Sequence, residues 1–517
     1  MEREPGWLER RIPLRRYTRQ ALTEDIPGGS SYWYVFGSAA ALDFLILAAT
    51  GIWQFFYYVP STERAYDSVN YLRLQVPFGW LIHGLHYWAA TAMVVLVLVH
   101  LTQTFVWGAF KKPRELTWLL GVLLLLLTLL AVFTGTPLPW DKRGYLAAQV
   151  ANGIAGSMPL VGTLAKQILW GGDAIGQLAL SRFFALHVAV VPVLIGLLFL
   201  THLVAFRIPG SAASFSERRN LSRSGRFWPD QLLKDFIAFS VVFTGTVGLS
   251  ALLMTPINGA ADALDATYIG KPEWPFLFLY QILKYLPGRL EVVGALVVPL
   301  IGLVLLFGMP WFDRSAERAP RRRPVALVLF VVIAAAIVAL SVQGAGGPTE
   351  IVSKSSGPAA SVSSTSTPTT STVEARAPYI VGNAEHGATL FVDFCESCHG
   401  VKGTDNVTNG IQGPALDPID PLFVSNDPQT FAVAIDDIIQ HGSRSNDQVL
   451  MPAFGASSTM TQPQIADAEA YVLKLNKVDR AKVLKPGVDP RTFFLVTLVL
   501  FGLADATGIV GLARLRR

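Results

Sequence analysis

Cysteine is nearly absent from this chain, which has only two, Cys395 and Cys398, among its 517 residues. They leave no second half-site for a cysteine-based metal centre of the zinc type. Charged residues are also scarce at 15%, whereas 51% of the residues are hydrophobic and the mean hydropathy is +0.42. This balance argues against an ordinary soluble protein and indicates an integral membrane protein.

Long apolar runs dominate the sequence, and eight of them are long enough to cross a bilayer as helices. The N-terminus lacks the short apolar region and cleavage site of a signal peptide, and its basic stretch ERRIPLRRYTRQ is predicted to lie on the inner membrane surface. We expect spans at about residues 32–57, 80–108, 116–135, 183–205, 234–254, 291–309, 324–342 and 492–512.

Lysine and arginine predict the orientation of these spans. The basic clusters all fall on one side if every run crosses the membrane, and the positive-inside rule makes that side the cytoplasm. The net charge of +5 therefore marks topology rather than nucleic-acid binding, and both termini are expected in the cytoplasm. The clusters are residues 9–19, 111–114, 207–226, 314–323 and 514–517.

Four histidines lie inside two of the apolar runs. His86 and His100 are 14 residues apart in the second run, and His187 and His202 are 15 apart in the fourth. Each pair lies close to one face after about four turns, so four imidazoles can meet as two layers roughly 21 Å apart. Because ionisable groups in a span are costly, we predict that they bind two non-covalent haems, His86 and His187 near the outer face. The alternative for a single histidine is a hydrogen bond to a neighbouring helix.

Glycines in the flanking runs repeat the same spacing. Gly37 and Gly51 are 14 residues apart in the first run, as are Gly121 and Gly135 in the third. A porphyrin edge approaches a helix backbone only where no side chain intervenes. The four glycines are therefore predicted to make room for two haem macrocycles.

The outer loops carry a second candidate site. A long loop rich in Gly and Pro, with short helical stretches, follows the third run, and the loop of residues 255–291 follows the fifth. The second loop contains Pro272-Glu273-Trp274-Pro275, whose prolines hold the carboxylate in an extended backbone near the membrane surface. Taken alone, this segment is also compatible with an exposed turn.

The two cysteines belong to the segment Cys395-Glu396-Ser397-Cys398-His399. C-x-x-C-H is the attachment motif for c-type haem, in which the two thiols bond to the vinyl groups and the histidine binds the iron. In isolation C-x-x-C also occurs in redox and zinc sites. Since the chain has no other cysteine, one covalent haem c is the prediction.

Composition divides the chain into five parts. The segment 343–378 is rich in Ser, Thr and Pro and has too few apolar residues to pack, which predicts a linker with a reach of roughly 30 Å. The expected fold class is all-α, a polytopic bundle of about eight spans with a small α-helical c-type cytochrome domain on the outer side. The expected parts are a four-helix haem-binding domain (1–222), a three-helix domain (223–342), the linker (343–378), the cytochrome c domain (379–478) and a C-terminal anchor (479–517).

Four motifs resemble segments of one known family. Residues 10–312 are similar to the cytochrome b subunit of quinol:cytochrome c (bc-type) complexes, specifically to the chloroplast-type short cytochrome b fused to its usually separate subunit IV. Residues 379–478 resemble the class I cytochromes c. The motifs are FKKPRELTW (110–118), LPWDKRGY (138–145), SRFFALH (181–187) and PEW (272–274).

The resemblance implies roles for residues of the membrane part. Glu273, flanked by Pro272 and Trp274, would line the outer quinol-oxidising pocket and take a proton from quinol. Arg182 matches a family position near haem and would pair with a propionate, unless it only snorkels at the interface.

In the cytochrome c domain the resemblance implies Met451 as the sixth iron ligand, with His441 and Met460 as alternatives. The backbone at Gly413-Pro414 would orient His399.

The sequence departs from the family at three positions. The family usually has Arg where this chain has His83. Because His83 lies one turn before His86, it is the alternative to His86 as a haem ligand. At Val35 the chloroplast-type proteins carry a cysteine that tethers an extra haem, so no such haem is expected. Asp43 lies within the first span, where it would either help to protonate quinone or bond to a neighbouring helix, and Asp505 of the last span is expected to face a partner helix.

The family implies an electrogenic oxidoreductase. Quinol at the outer site would give one electron to a separate Rieske iron–sulfur protein, which passes it to haem c. The other electron would cross the two b haems to quinone at the inner face, coupled to proton translocation. The rivals are a quinone-linked b-type anchor without bifurcation and a membrane-tethered electron carrier that is not an enzyme subunit.

The same resemblance implies a setting for the chain. We expect it in a respiratory chain, in a bacterial-type energy-transducing inner membrane, surrounded by lipid and assembled as a homodimeric complex. A soluble or membrane-bound cytochrome c or a terminal oxidase would accept its electrons. No nucleic acid is expected as a partner.

Overall fold

A computed structural model of the chain describes residues 22–346, 382–478 and 490–515 with internal gaps. These residues form two compact units, one containing all the long apolar helices and the other containing residues 382–478 and the segment 70–79. The N-terminal basic stretch, most of the expected linker and Gly413-Pro414 lie outside the described residues. The gaps are positions 24, 63, 157, 159–160, 173–174, 213–223, 254, 258–260, 262–270, 405–414, 418, 420–434, 437, 446–447 and 456–458.

Among the residues that the structure describes, eight helical segments are long and apolar enough to cross a membrane, which agrees with the expected number. They contain α1, α3, α4, α7 with α8, α9, α11, α12 and α16. The helices are α1 (Val35–Phe55), α2 (Ala65–Gln75), α3 (Gly79–Val106), α4 (Glu115–Gly135), α5 (Lys142–Gly156), α6 (Gly162–Leu169), α7 (Gln177–Ala185), α8 (Val191–Arg207), α9 (Leu232–Leu252), α10 (Leu277–Tyr285), α11 (Val298–Phe312), α12 (Pro324–Ala345), α13 (Ala384–Phe394), α14 (Glu396–His399), α15 (Gln462–Leu475) and α16 (Pro490–Leu515).

Helix α9 packs against α1 on one side and against α16 on the other. The helices α9 and α16 run antiparallel, because Phe494 lies against Gly248 near one end of the pair and Leu233 lies against Gly508 near the other. A methyl group at Gly248 would come within 2.7 Å of the Phe494 ring, so the close approach requires glycine. Between these contacts the Ser240 hydroxyl donates a hydrogen bond to Asp505 at 3.3 Å, so Asp505 faces a partner helix.

A buried ionic cluster joins the loop after α3 to the loop between α11 and α12. The Lys111 ammonium lies 2.6 Å from one carboxylate oxygen of Asp313, and Arg323 lies 2.5 Å from the other. Arg323 also donates to the Phe105 carbonyl at 3.0 Å. Because both cations converge on one carboxylate with little exposure, removing Asp313 would leave two poorly solvated charges. The cluster thus ties the FKKPRELTW segment to the C-terminal half of the bundle.

The loop between α4 and α7 folds back on itself through α5 and α6. Its core contains Trp140, Tyr145, Trp170 and Phe183, with the Trp140 and Tyr145 rings packed edge to face. The short helical stretches expected in this loop are therefore present. Strands are few among the described residues: β1 (Asp25–Pro27) pairs with β2 (Ser224–Arg226), and β3 (Ser443–Ser445) pairs with β4 (Gln448–Met451).

The second unit is built on the packing of α13 against α15. The two backbones approach closely, since a methyl group at Gly387 would collide with the Asp467 carbonyl. Asn383 caps α13 by accepting from the Glu385 N–H at 2.9 Å. The apolar core between the helices includes Leu390, Phe391, Ile465, Val472 and Leu473.

Candidate functional site

The outer histidine pair lies in a geometry that suits one metal ion. The rings of His86 and His187 have their centroids 6.1 Å apart and their planes at 79°. Two metal–imidazole bonds of about 2.0 Å each, plus the distance from each nitrogen to its ring centre, give roughly this separation. The inner pair, His100 and His202, is also close enough for electrostatic interaction.

His187 lies in a π-helical segment, Leu186–Val190, between α7 and α8. A π turn holds one residue more than an α turn and often marks a functional site. The 15 residues from His187 to His202 therefore span about the same number of turns as the 14 residues from His86 to His100. This irregularity keeps both members of each pair on one face. The one-residue difference in spacing was its only signal in the sequence.

Each of the four predicted glycines faces one of the four histidines. A Cβ atom at these glycines would lie 2.6–3.3 Å from the Cε1 atom of the facing ring. The eight residues divide into two layers along the bundle, as the spacings predicted. The outer layer contains Gly51 with His86 and Gly135 with His187, and the inner layer contains Gly37 with His100 and Gly121 with His202.

Hydrogen bonds at Nδ1 orient the rings of His86 and His187. The Nδ1 atom of His187 lies 3.0 Å from the Ala131 carbonyl oxygen, to which it can only donate. The Nδ1 atom of His86 lies 3.0 Å from the Thr50 hydroxyl. A donor at Nδ1 leaves a lone pair on Nε2, which is the arrangement of a metal-binding imidazole. The histidines and glycines therefore fit two haems, although their roles as ligands and haem contacts stay predictions.

Four further residues singled out in the sequence lie in the membrane part of the chain. Arg182 donates to the Gln167 carbonyl of α6 at 2.7 Å, so its role toward a propionate stays a prediction. His83 pairs with Gln54 at 2.9 Å. Val35 is buried at the start of α1. Asp43 is fully buried, and neither of its carboxylate oxygens is hydrogen-bonded to any residue that the structure describes.

Glu273 lies in the loop between α9 and α10, where Pro272 and Trp274 flank it, immediately before the short helical turn Trp274–Phe276. Its carboxylate lies 2.5 Å from the Arg143 guanidinium of α5, with 17% of the Glu273 side chain and 23% of the Arg143 side chain exposed. Burial raises the pKa of Glu273, and Arg143 opposes that rise. The segment is therefore a half-buried charged site and not a freely exposed turn.

Arg143 was not predicted as a site residue, although it belongs to the LPWDKRGY motif. Its guanidinium also lies close enough to Tyr87, the residue after His86, for electrostatic interaction. One signal was available in the sequence. Lys142 and Arg143 are basic residues on the predicted outer side, where the positive-inside rule disfavours them.

The residues predicted to hold haem c lie on one helical turn. The N–H groups of Cys398 and His399 both donate to the Cys395 carbonyl, at 3.1 and 2.9 Å. Both thiols are free, and His399 is buried. The set of two thiols and an adjacent imidazole fits covalent haem attachment.

The candidates for the sixth ligand differ in burial. Met451 ends β4 and packs, partly buried, against the core that also contacts Cys395. Met460 lies inside that core with 3% exposure, whereas His441 is exposed. Met451 therefore stays the favoured prediction.

Comparison with known proteins reveals the family. Residues 22–210 match the family model described as cytochrome b/b6/petB, residues 260–362 match cytochrome b(C-terminal)/b6/petD, and residues 382–472 match cytochrome C oxidase, cbb3-type, subunit III. The chain is 31% identical over 338 residues to a cytochrome bc complex cytochrome b subunit of Chlorobaculum thiosulfatiphilum, covering 64% of this chain and 78% of the relative. It is 39% identical over 210 residues to a cytochrome b6 of Synechococcus sp. (strain JA-3-3Ab), covering 41% of this chain and 98% of the relative.

The chain belongs to the cytochrome b family.

The fold agrees with this assignment. A solved structure described as "Hyperthermophilic respiratory Complex III" is similar with a TM-score of 0.60 at 28% identity, over 66% of this chain and 91% of that one. The chain is a multi-pass cytochrome b subunit of the bc type, an oxidoreductase subunit with a fused cytochrome c domain. The expected resemblance and fold class are thereby confirmed. The cytochrome b and cytochrome c domains imply that the chain binds haem b and haem c.

Proposed function

We propose that this cytochrome b oxidises quinol at the outer membrane face and divides the two electrons. One would pass through a separate Rieske protein to the fused cytochrome c domain, and the other would cross the membrane to an inner quinone. The observation that carries this proposal is the division of histidines and glycines into two layers along the same helices. Two carriers in series are what a transmembrane electron path needs.

The chain's own residues would hold the cofactors that supply one-electron transfer. His86 and His187 would bind the outer haem b, and His100 and His202 the inner one. In the cytochrome c domain Cys395 and Cys398 would form the thioether bonds, with His399 and Met451 as iron ligands. The two glycines of each layer, which face the histidine rings, would also leave the helix backbone open to the macrocycle.

Glu273 would act as the proton acceptor for quinol. The carboxylate lies half-buried beside a cation that favours its ionised form, and that form can accept a proton from a quinol hydroxyl within hydrogen-bond reach. Loss of that proton makes the quinol easier to oxidise. The proton then leaves to the outer side, which couples the reaction to proton release.

The orientation of the chain follows from its charges. The loops with Lys111 to Arg114 and Arg314 to Arg323 would face the cytoplasm, as would both termini, and the cytochrome c domain would lie outside. Moving an electron inward across the whole membrane requires work against the membrane potential of about 2.3 kcal/mol per 100 mV. A Rieske protein, a second copy of the complex and a downstream cytochrome or oxidase are the proposed partners.

Replacing Glu273 by Gln tests the catalytic part of this proposal. The amide keeps the size of the side chain but cannot accept a proton, so we expect quinol oxidation to fall about 100-fold, the usual contribution of a positioned base. The measurement is steady-state quinol:cytochrome c reductase activity, together with the reduced-minus-oxidised spectrum of the b haems, which should not change. Glu291→Gln, at the end of the same loop, is the matched control. Wild-type turnover of Glu273→Gln would remove Glu273 from the mechanism.

A further inference from the structure

A salt bridge at the outer loop is not explained by the proposed chemistry alone. The Arg143 Nη2 and Glu273 Oε2 atoms are 2.5 Å apart, and less than a quarter of either side chain is exposed. An ion pair in such a position is strongly coupled, because little solvent screens it. Among the described residues, the charged and titratable groups that interact with Glu273 are Arg143, Asp141 and Tyr87, and Tyr87 also interacts with Arg143.

The fold holds Arg143 in a defined place. It is the second residue of α5, and the Asp141 carboxylate caps the first turn of that helix by accepting from the Gly144 N–H at 2.8 Å. A methyl group at Gly144 would lie 2.5 Å from the Thr136 carbonyl oxygen, so the turn sits directly on the end of α4. Tyr87 of α3 also interacts electrostatically with the guanidinium.

We infer that Arg143 is a positioning residue for quinol oxidation, which keeps Glu273 ionised and aimed until the carboxylate receives the quinol proton. This inference rests on the proposed role of Glu273.

The electrostatics give the reason. Burial alone raises the pKa of Glu273 and would leave more of it protonated, and a protonated carboxyl cannot act as the base. The guanidinium opposes that rise, although the negative charge of Asp141 works in the other direction. Arg143 therefore sets the lowest pH at which the site retains a working base.

The same pair also provides for release of the proton. In this step one quinol O–H bond breaks, its proton goes to a carboxylate oxygen of Glu273, and one electron passes to the Rieske protein of the proposed function. The neutral carboxyl is attracted less strongly by Arg143, so it is free to turn away and pass the proton on. Loss of the proton restores the charge and the ion pair.

The test compares Arg143→Gln, Arg143→Lys and Lys142→Gln with the wild-type complex between pH 5.5 and 9. Loss of a cation this close moves the pKa of a carboxyl by about 1–3 units, so the acid limb of kcat for Arg143→Gln should move up by at least one pH unit. The rate at pH 6 should then fall about tenfold or more and recover at high pH. Arg143→Lys should restore part of the profile, and Lys142→Gln should match the wild type.

A second readout does not depend on turnover. The carbonyl stretch of a protonated carboxyl group, identified as the infrared band missing in Glu273→Gln, should appear at higher pH in Arg143→Gln than in the wild type. An unchanged kcat profile and an unchanged infrared titration in Arg143→Gln would overturn the inference, as would an equal loss of rate at every pH. If Glu273→Gln itself turned over normally, the proposed base would fail first, and the two failures are thus distinguishable.

Discussion

Replacement of His86 by leucine is expected to abolish binding of the outer haem b and to leave the inner one in place. The purified complex should lose about half of its b-haem absorbance and essentially all quinol:cytochrome c reductase activity, because leucine offers no iron ligand. His100→Leu should remove the other half. The two variants should retain b haems of different midpoint potential, since the haems lie in different layers.

His83→Leu is the matched control for this pair of variants. Its ring is one turn from His86 and pairs with Gln54. Both b haems should therefore persist in this variant at wild-type occupancy. If His83→Leu lost a haem and His86→Leu did not, the ligand of the outer layer would be His83.

Conversion of both Cys395 and Cys398 to serine is expected to remove all covalent haem from this chain. A serine hydroxyl does not add to a vinyl group as a thiol does, and the chain has no other cysteine. A denaturing gel stained for haem should therefore show no band at 56.2 kDa, the mass of the chain, while the b-haem spectrum is unchanged. A persistent haem-stained band would contradict the attachment site.

Met451→Ala refines the same experiment. The covalent band should remain, but the midpoint potential of haem c should fall, because a methionine ligand raises it. His441→Ala, at an exposed residue, should leave the potential unchanged. A normal potential in Met451→Ala would transfer the ligand role to another residue.

Much of this architecture can be predicted from the sequence, because few kinds of structure can cross a bilayer. Apolar runs of spanning length predicted all eight spanning helices found among the described residues, although two of them begin earlier than expected, at Gln177 and Phe227 in place of residues 183 and 234. The His and Gly spacings predicted two layers, and each glycine does face a histidine of its own layer. Periodicity along a helix is a local property, so sequence reasoning captures it well.

The features that sequence reasoning missed depend on contacts between distant segments. The π turn at His187 adds one residue to its helix. Its only signal in the sequence was the spacing of 15 residues where the other histidine pair has 14. The pairing of Arg143 with Glu273 joins residues 130 positions apart, and nothing in either motif specifies the other. By contrast, Asp505 was correctly expected to face a neighbouring helix. Asp43 is buried without a hydrogen-bond partner among the described residues.

The central claim is that four histidines of this cytochrome b hold two haems in series and that its C-x-x-C-H segment holds a third. A pyridine haemochrome spectrum of the purified complex, combined with a haem stain of this chain, tests it most directly. The predicted result is two haems b for one covalent haem c, after subtraction of any haem c on partner subunits. A preparation with the covalent haem alone, or with a single haem b that survives in all four histidine variants, would contradict it.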